Sequence, residues 1–274
     1  MRSAGGGIGP WRLGWRKFRR SRMALAALLA PVLAPYAYDA QIREDAEQGP
    51  SARHWMGVDP LARDLLSRVL YGARVSLDVA VTATAVSVLI GVVAGALAGY
   101  FGKWTDEALM RTADVFSAFP GILLAVAITA AFREPSLAVV FVALGLVGWS
   151  GVARIVRGQV LTLREEEFVT AAAALGAGRL RILFRHILPN CLGPVIVTAT
   201  LLVAGNILGE AGLSFLGIGV QPPHPSWGGM LAEARGKISI YWWMSVFPGA
   251  AIALTVLAFN LLGDGLRDAL DPRT

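Results

Sequence analysis

The sequence predicts an all-α membrane protein: a bundle of six transmembrane helices with both termini in the cytoplasm. Three observations carry that prediction. Hydrophobic residues make up 55% of the 274 positions and charged residues only 16%, with a mean hydropathy of +0.57, a balance too apolar for an ordinary soluble domain. Uncharged runs at 79–101, 115–132, 135–153, 190–209 and 241–262 each come near the roughly 20 residues a helix needs to cross about 30 Å of hydrocarbon. With the amino terminus inside, 17 of the Lys and Arg residues fall in inside segments and 8 outside, which satisfies the positive-inside rule. Helices follow because every backbone polar group in lipid must find its partner within the segment.

The elements follow in chain order. Residues 1–22 form a basic cytoplasmic stretch, and the apolar run after it marks a first transmembrane helix at 23–40. That run holds Pro31 and Pro35 and is short for a bilayer, so a cleaved signal peptide competes with a retained, locally thinned span. Retention makes the later spans alternate consistently, so a retained helix is the expectation. Residues 41–78 form an extracytoplasmic segment punctuated by Pro50, Gly57 and Pro60. Within it Leu65, Leu66, Val69 and Leu70 stand at helical spacing among Arg63, Asp64, Ser67 and Arg68, the pattern of an amphipathic helix at the interface or capping the bundle.

Residues 79–264 then hold a five-helix core with a cytoplasmic loop at 154–189, and 265–274 form the cytoplasmic C-terminus. Gly91, Gly95 and Gly99 recur every four residues, and Gly205 and Gly209 repeat the spacing; such small residues let helices approach within or between subunits. Pro120, Pro194 and Pro248 each remove a backbone donor and are expected to bend a span or mark its end. The Gly- and Pro-rich stretch 210–231 reads as an irregular outer loop in which Trp227 anchors at the headgroups.

Enzymatic chemistry finds no foothold in these residues. Gly102-Lys103 is followed by Trp104 and Gly236-Lys237 by Ile238, so neither is a phosphate-binding loop. His54, His186 and His224 lie apart without metal-ligand spacing, and the single cysteine, Cys191, has no partner for a disulfide. No cofactor is expected in this chain. The net charge of +6 reflects the topology and needs no nucleic acid to explain it. Asp114 is expected to begin the third span, Glu210 to end the fifth and Asp264 to follow the sixth, which leaves no ionisable group mid-span for a coupled carrier. Asn206 and Glu210, one turn apart, are candidates either to line a pathway or to bond helix to helix.

The most charged stretch between spans is 164–189. Glu165 to Leu175 is rich in Ala and Glu, with the acids at the end that complements the helix dipole, and Gly176 falls where a left-handed residue would stop the helix. A second helix places Leu180, Leu183, Phe184 and Ile187 on one face, a stripe suited to a groove on another protein or to the membrane surface, and Pro189 marks a turn into the fifth span.

Thr170-Ala171-Ala172, Gly176 and Leu188-Pro189 resemble the cytoplasmic loop motif of ABC importer permeases: Glu-Ala-Ala, three residues, Gly, nine residues, Ile-x-Leu-Pro. Gly57-Val58-Asp59, Arg63-Asp64-Leu65-Leu66-Ser67-Arg68, Tyr71-Gly72-Ala73-Arg74-Val75-Ser76-Leu77, Arg185-His186-Ile187-Leu188-Pro189-Asn190, Glu210-Ala211-Gly212-Leu213-Ser214-Phe215-Leu216-Gly217 and Asn260-Leu261-Leu262-Gly263-Asp264-Gly265-Leu266-Arg267-Asp268 look like the C-type subunit of the dipeptide/oligopeptide/nickel branch. The resemblance implies a type I permease in the cytoplasmic (inner) membrane that moves di- or oligopeptides, or alternatively nickel or another small solute. A stand-alone channel or secondary carrier is the reading from a different class. The partners implied are the lipid bilayer, a second permease, two cytoplasmic ABC ATPases that hold ATP and Mg, and an extracytoplasmic solute-binding protein. The residues implied in ATPase coupling are Glu167, Thr170, Ala171, Ala172, Gly176, Leu183, Phe184, Ile187, Leu188 and Pro189. Thr170 departs from the motif glutamate, and Val58 and Ala62 stand where threonine and glycine are usual. If position 62 needs φ > 0, its alanine is strained by about 1 kcal/mol.

Overall fold

The computed structural model describes residues 30–46, 48–132 and 136–270. The basic N-terminal stretch and most of the expected first span lie outside the described residues; one turn of it, α1 (Ala30–Leu33), is seen. Among the described residues the chain is helical apart from two isolated bridges, Gln41 with Arg63 and Val58 with Asp64.

The segment before the first long helix winds into a knot of charge. Asp59 accepts from the Leu61 and Arg63 amides, from Arg63 Nε at 2.6 Å and from Arg68, so this fully buried carboxylate is held by four donors. His54 sits buried between Asp64 and Asp45 at 2.8 and 3.3 Å. Ala62 adopts φ +60°, the left-handed conformation that the expected glycine would adopt without strain.

Helix α2 (Leu65–Phe101) starts at Asp64, whose carboxylate accepts the Ser67 amide at 2.8 Å. The expected amphipathic helix and second span are one uninterrupted helix, because no proline falls between 65 and 101. Its 37 residues rise about 55 Å, more than the roughly 30 Å of hydrocarbon, so the helix is longer than an upright span needs. In its first turns Leu65, Val69 and Ala73 are buried against Trp227, Met230 and Trp243.

Gly102, at φ +61°, turns the chain into α3 (Lys103–Ala118), and α4 (Gly121–Ala131) follows at a bend of 94°. The expected third span at 115–132 is therefore broken in two. Pro120 offers no N–H and forces Phe119 into extended backbone (φ −92°, ψ 139°), so the helix stops there. Asp114 belongs to the polar half, inside α3, rather than to the start of a span.

Helix α5 (Leu137–Leu163) packs along α2, and the glycines explain the closeness. A Cβ on Gly91 would lie 2.8 Å from the Trp149 carbonyl oxygen, and one on Gly99 2.9 Å from that of Arg157. The Gly91/Gly95/Gly99 stripe is thus a seam within one chain. Of the second pair, Gly209 meets Leu144 while Gly205 faces open space.

The segment after α5 carries α6 (Glu167–Ala174) and α7 (Arg179–Ile182), and helix continues through a π segment (Leu183–Ile187) and a 3-10 segment (Leu188–Cys191) into α8 (Leu192–Phe215). A short α9 (Trp227–Glu233) and the long α10 (Trp243–Leu270) complete the bundle. Asp264 falls inside α10, not after it. Four helices are long and apolar enough to cross a membrane, five if the bent pair α3–α4 counts as one span, all among the described residues.

Trp227 corrects the loop reading. It is 1% exposed, its indole N–H donates to the Val69 carbonyl at 3.0 Å, and Gly72 leaves it room where a Cβ would sit 3.3 Å from the ring. It anchors α9 onto α2 rather than the protein onto lipid headgroups. Arg68 finishes the fastening with two bonds to Glu233, at 2.6 and 2.9 Å.

Candidate functional site

The segment between α5 and α8 is built from a corner and a shaft. The corner forms at the end of α6: the Gly176 amide donates to the Ala173 carbonyl at 2.9 Å and the Ala177 amide to that of Ala172 at 3.1 Å. These are the paired bonds of a Schellman stop, and Gly176 takes φ +82° as that stop requires. No atom of this chain lies within 4 Å of where its Cβ would be, so within the chain the constraint on this position is conformational and not steric.

The shaft departs from expectation. Pro189 does not turn the chain into the fifth span; helix runs unbroken from Arg179 to Phe215. The π segment makes this possible. The Leu188 amide donates to the Leu183 carbonyl, five residues back, and the wider turn accommodates the missing donor of Pro189. The outward part of the loop and the membrane helix are therefore one continuous body.

The apolar stripe divides in two. Leu183 and Ile187, expected to face a partner, are fully buried with Val169, Ile182 and Cys191 against Val152, Val156 and Val160 of α5. This is a correction to their reading as docking residues: they fasten the segment to its own bundle, because helical spacing places them on the face turned to α5. Phe184 and Leu180 point outward at 60% and 58% exposure. Glu167, Thr170, Ala171, Gly176 and Pro189 are also exposed, and Ala172 and Leu188 are half-buried. Phe184, Leu188 and Pro189 border an apolar hollow of about 280 Å³ that reaches Val92 and Leu192. Thr170 spends its hydroxyl on its own helix, donating to the Glu167 carbonyl at 2.9 Å.

Sequence reasoning missed Leu175, which stands at the corner with 89% exposure, and Phe168, 40% exposed. A leucine immediately before a helix-stopping glycine was the available signal, since that position projects beyond the helix and cannot pack against the bundle.

Asn206 and Glu210 sit in the interior of this one chain. Asn206 donates to Thr84 Oγ1 at 2.9 Å; Glu210, with no exposed surface, accepts from Ser76 Oγ at 2.9 Å and Ser214 Oγ at 2.7 Å. Glu210 also lies a turn before the end of α8 and not at its end. Both residues tie α8 to α2, so the geometry favours helix-to-helix bonding over pathway lining. Ser76 in turn accepts the Trp227 amide and Ser214 the Val220 amide, which brings the 216–226 loop and α9 into the same network. Among the described residues no group of three or more His, Cys, Asp or Glu is placed to hold a metal ion.

Comparisons with known proteins agree with this architecture. Residues 91–274 match the family described as binding-protein-dependent transport system inner membrane component. The chain is 46% identical over 276 residues to a glutathione transport system permease protein of Pectobacterium atrosepticum, covering 96% of this chain and 91% of the relative. It is 44% identical to a dipeptide transport system permease protein of Alkalihalophilus pseudofirmus, covering 97% and 91%, and 47% identical to an Escherichia coli glutathione transport system permease protein, covering 96% and 91%. In fold it is similar to a chain of the MetNI methionine ABC transporter in an inward-facing conformation, with a TM-score of 0.62 at 18% identity over 74% of this chain and 96% of that one.

Proposed function

Because this chain belongs to the family of binding-protein-dependent transport system inner membrane components, and is thus a multi-pass permease of an ABC transport system, we propose that it forms half of a peptide importer's pore and is driven through its cytoplasmic corner. Its finer topology in this reading is six spans with both termini in the cytoplasm, the first span supplied by residues 23–40. A second permease completes the pore, two cytoplasmic ATPases hold ATP and Mg, and an extracytoplasmic binding protein delivers the solute. A short peptide is the favoured solute because the relatives are named for glutathione and dipeptides. Nickel or another small solute remains the second reading.

The observation that carries the proposal is the continuity of Arg179–Phe215 beyond an exposed corner. Leu175, Leu180 and Phe184 offer apolar side chains to a groove, with Ala171 and Ala172 small enough for close approach. A displacement of that surface moves α7 and α8 together, since helix is continuous between them, and α8 carries it to α2 through Asn206–Thr84 and Glu210–Ser76. Two packings of the bundle, biased by the partner's grip, suffice for alternating access. Leu183 and Ile187 keep the lever seated on α5 while it moves.

The test uses a cysteine at Leu175. The natural Cys191 is buried at 1% exposure and gives little background. In intact cells a Leu175→Cys chain should crosslink to a nucleotide-binding subunit, and the yield should change when hydrolysis is trapped. Absence of any such crosslink in a transporter that still takes up Ala-Ala sinks the coupling reading; uptake of nickel and not of Ala-Ala sinks the peptide reading.

A further inference from the structure

Between α3 and α5, at the end of the bundle that also carries the coupling segment, lies an open groove of about 470 Å³. Its place is set by two contacts: Arg164, at the end of α5, donates to the Gly99 carbonyl near the end of α2 at 3.1 Å, and α3 starts directly after. The wall supplied by α3 is a stripe of alternating charge. Lys103, Glu107, Arg111 and Asp114 fall at successive turns, all exposed, over about 16 Å of helix. α5 faces them with Arg154 and Arg157.

Four of the charges in this groove are engaged. Arg157 grips Asp106 through both Nε and Nη2, the latter at 2.6 Å, and Arg154 reaches Asp114 at 3.0 Å. Among the described residues Lys103, Glu107 and Arg111 make no ion pair. An anion and two cations without an ionic partner among those residues thus line a single groove. Glu107 and Arg111 stand one turn apart, roughly 5–6 Å between their Cβ atoms. Two residues of extended peptide span at most about 7 Å. A molecule with an ammonium at one end and a carboxylate at the other, separated by one or two residues, complements this pair, with Lys103 as a second cation.

We propose that the α3–α5 groove is a transit site for the main-chain ends of a short zwitterionic peptide, Glu107 receiving the ammonium and Arg111 the carboxylate. It deepens the peptide-importer reading and rests on it. The Asp106–Arg157 and Asp114–Arg154 bridges fix α3 against α5 and keep those charges from competing for the solute. Binding must be weak, because a site on a translocation path has to release what it takes.

The experiment uses the assembled permease–ATPase complex in nanodiscs, without the binding protein. Saturation-transfer NMR reports binding of Ala-Ala, of its N-acetyl form and of its C-terminal amide. The expected result is millimolar binding of Ala-Ala, weakened roughly ten-fold or more by blocking either end, or by Glu107→Gln or Arg111→Gln, and retained in Arg111→Lys. Equal binding in wild type and Arg111→Gln overturns the proposal. So does loss of a subunit from the Arg111→Gln complex on size exclusion, which would make the stripe a seam with the second permease. If the complex binds no peptide in nanodiscs, yet the same complex in sealed proteoliposomes imports Ala-Ala once the binding protein and ATP are added, the transit site is refuted and the importer stands. Failure of import under those conditions refutes the importer reading itself.

Discussion

Substituting Gly176 gives the sharpest test of the corner, because the structure separates conformation from sterics there. Its φ of +82° lies in the left-handed region, and the space a Cβ would occupy has no atom within 4 Å. Gly176→Ala therefore adds no clash, only the left-handed cost of about 1–2 kcal/mol. Such a cost lowers the population of the correctly turned corner by roughly 5- to 30-fold. Asparagine tolerates this region better and β-branched residues worse, so uptake and ATPase co-purification should fall in the order Gly, Asn, Ala, Val. Gly176→Asp, which adds a charge to the proposed docking surface, should abolish uptake while membrane insertion stays intact. Gly178, two residues on, is an internal control: its φ is −66° and it too has no Cβ neighbour, so Gly178→Ala should behave as wild type. Initial rates of Ala-Ala uptake, normalised to membrane-inserted protein, give the measurement. Identical rates for Gly176→Val and Gly178→Ala would refute the claim that the left-handed corner positions the docking surface.

Three other outcomes follow from the packing. Gly91→Ala places a methyl 2.8 Å from the Trp149 carbonyl and should lower stability by about 1–3 kcal/mol in detergent unfolding, whereas Gly205→Ala, facing open space, should leave the midpoint unchanged. Glu210→Ala leaves the buried Ser76 and Ser214 hydroxyls without their acceptor and should cost about 1–3 kcal/mol, with Glu210→Gln milder; equal midpoints for the two would argue against the network. Ala62→Val puts a β-branched residue at φ +60° and should destabilise the outer segment by more than about 1 kcal/mol, read as faster proteolysis between Asp45 and Arg68.

Much of the corner was legible in the sequence. A helix of Ala and Glu ending on Gly176 implies a left-handed stop, since few other residues accept that backbone cheaply, and the Schellman bonds of Gly176 and Ala177 are its realisation. The apolar runs likewise mark where lipid is met, and the stripe of Gly91, Gly95 and Gly99 marks a close approach. Pro120 announced a break but not its size, since a missing donor says only that the helix is interrupted; the 94° turn depends on what α3 and α4 pack against.

Local pattern determined which faces are apolar, where helices stop and where backbone is tight, because those are properties of neighbouring residues on one helix. Only the tertiary structure decided what each face meets. It turned Leu183 and Ile187 inward against α5 and left Leu175 and Phe184 outward, although all four are strongly hydrophobic. It buried Trp227 over Gly72 and Glu210 between two serines, where sequence alone placed one at the headgroups and the other at a helix end. The physical reason is that hydrophobicity is non-directional: lipid, core and partner groove all satisfy an apolar side chain, and the choice among them is made by residues far away along the chain.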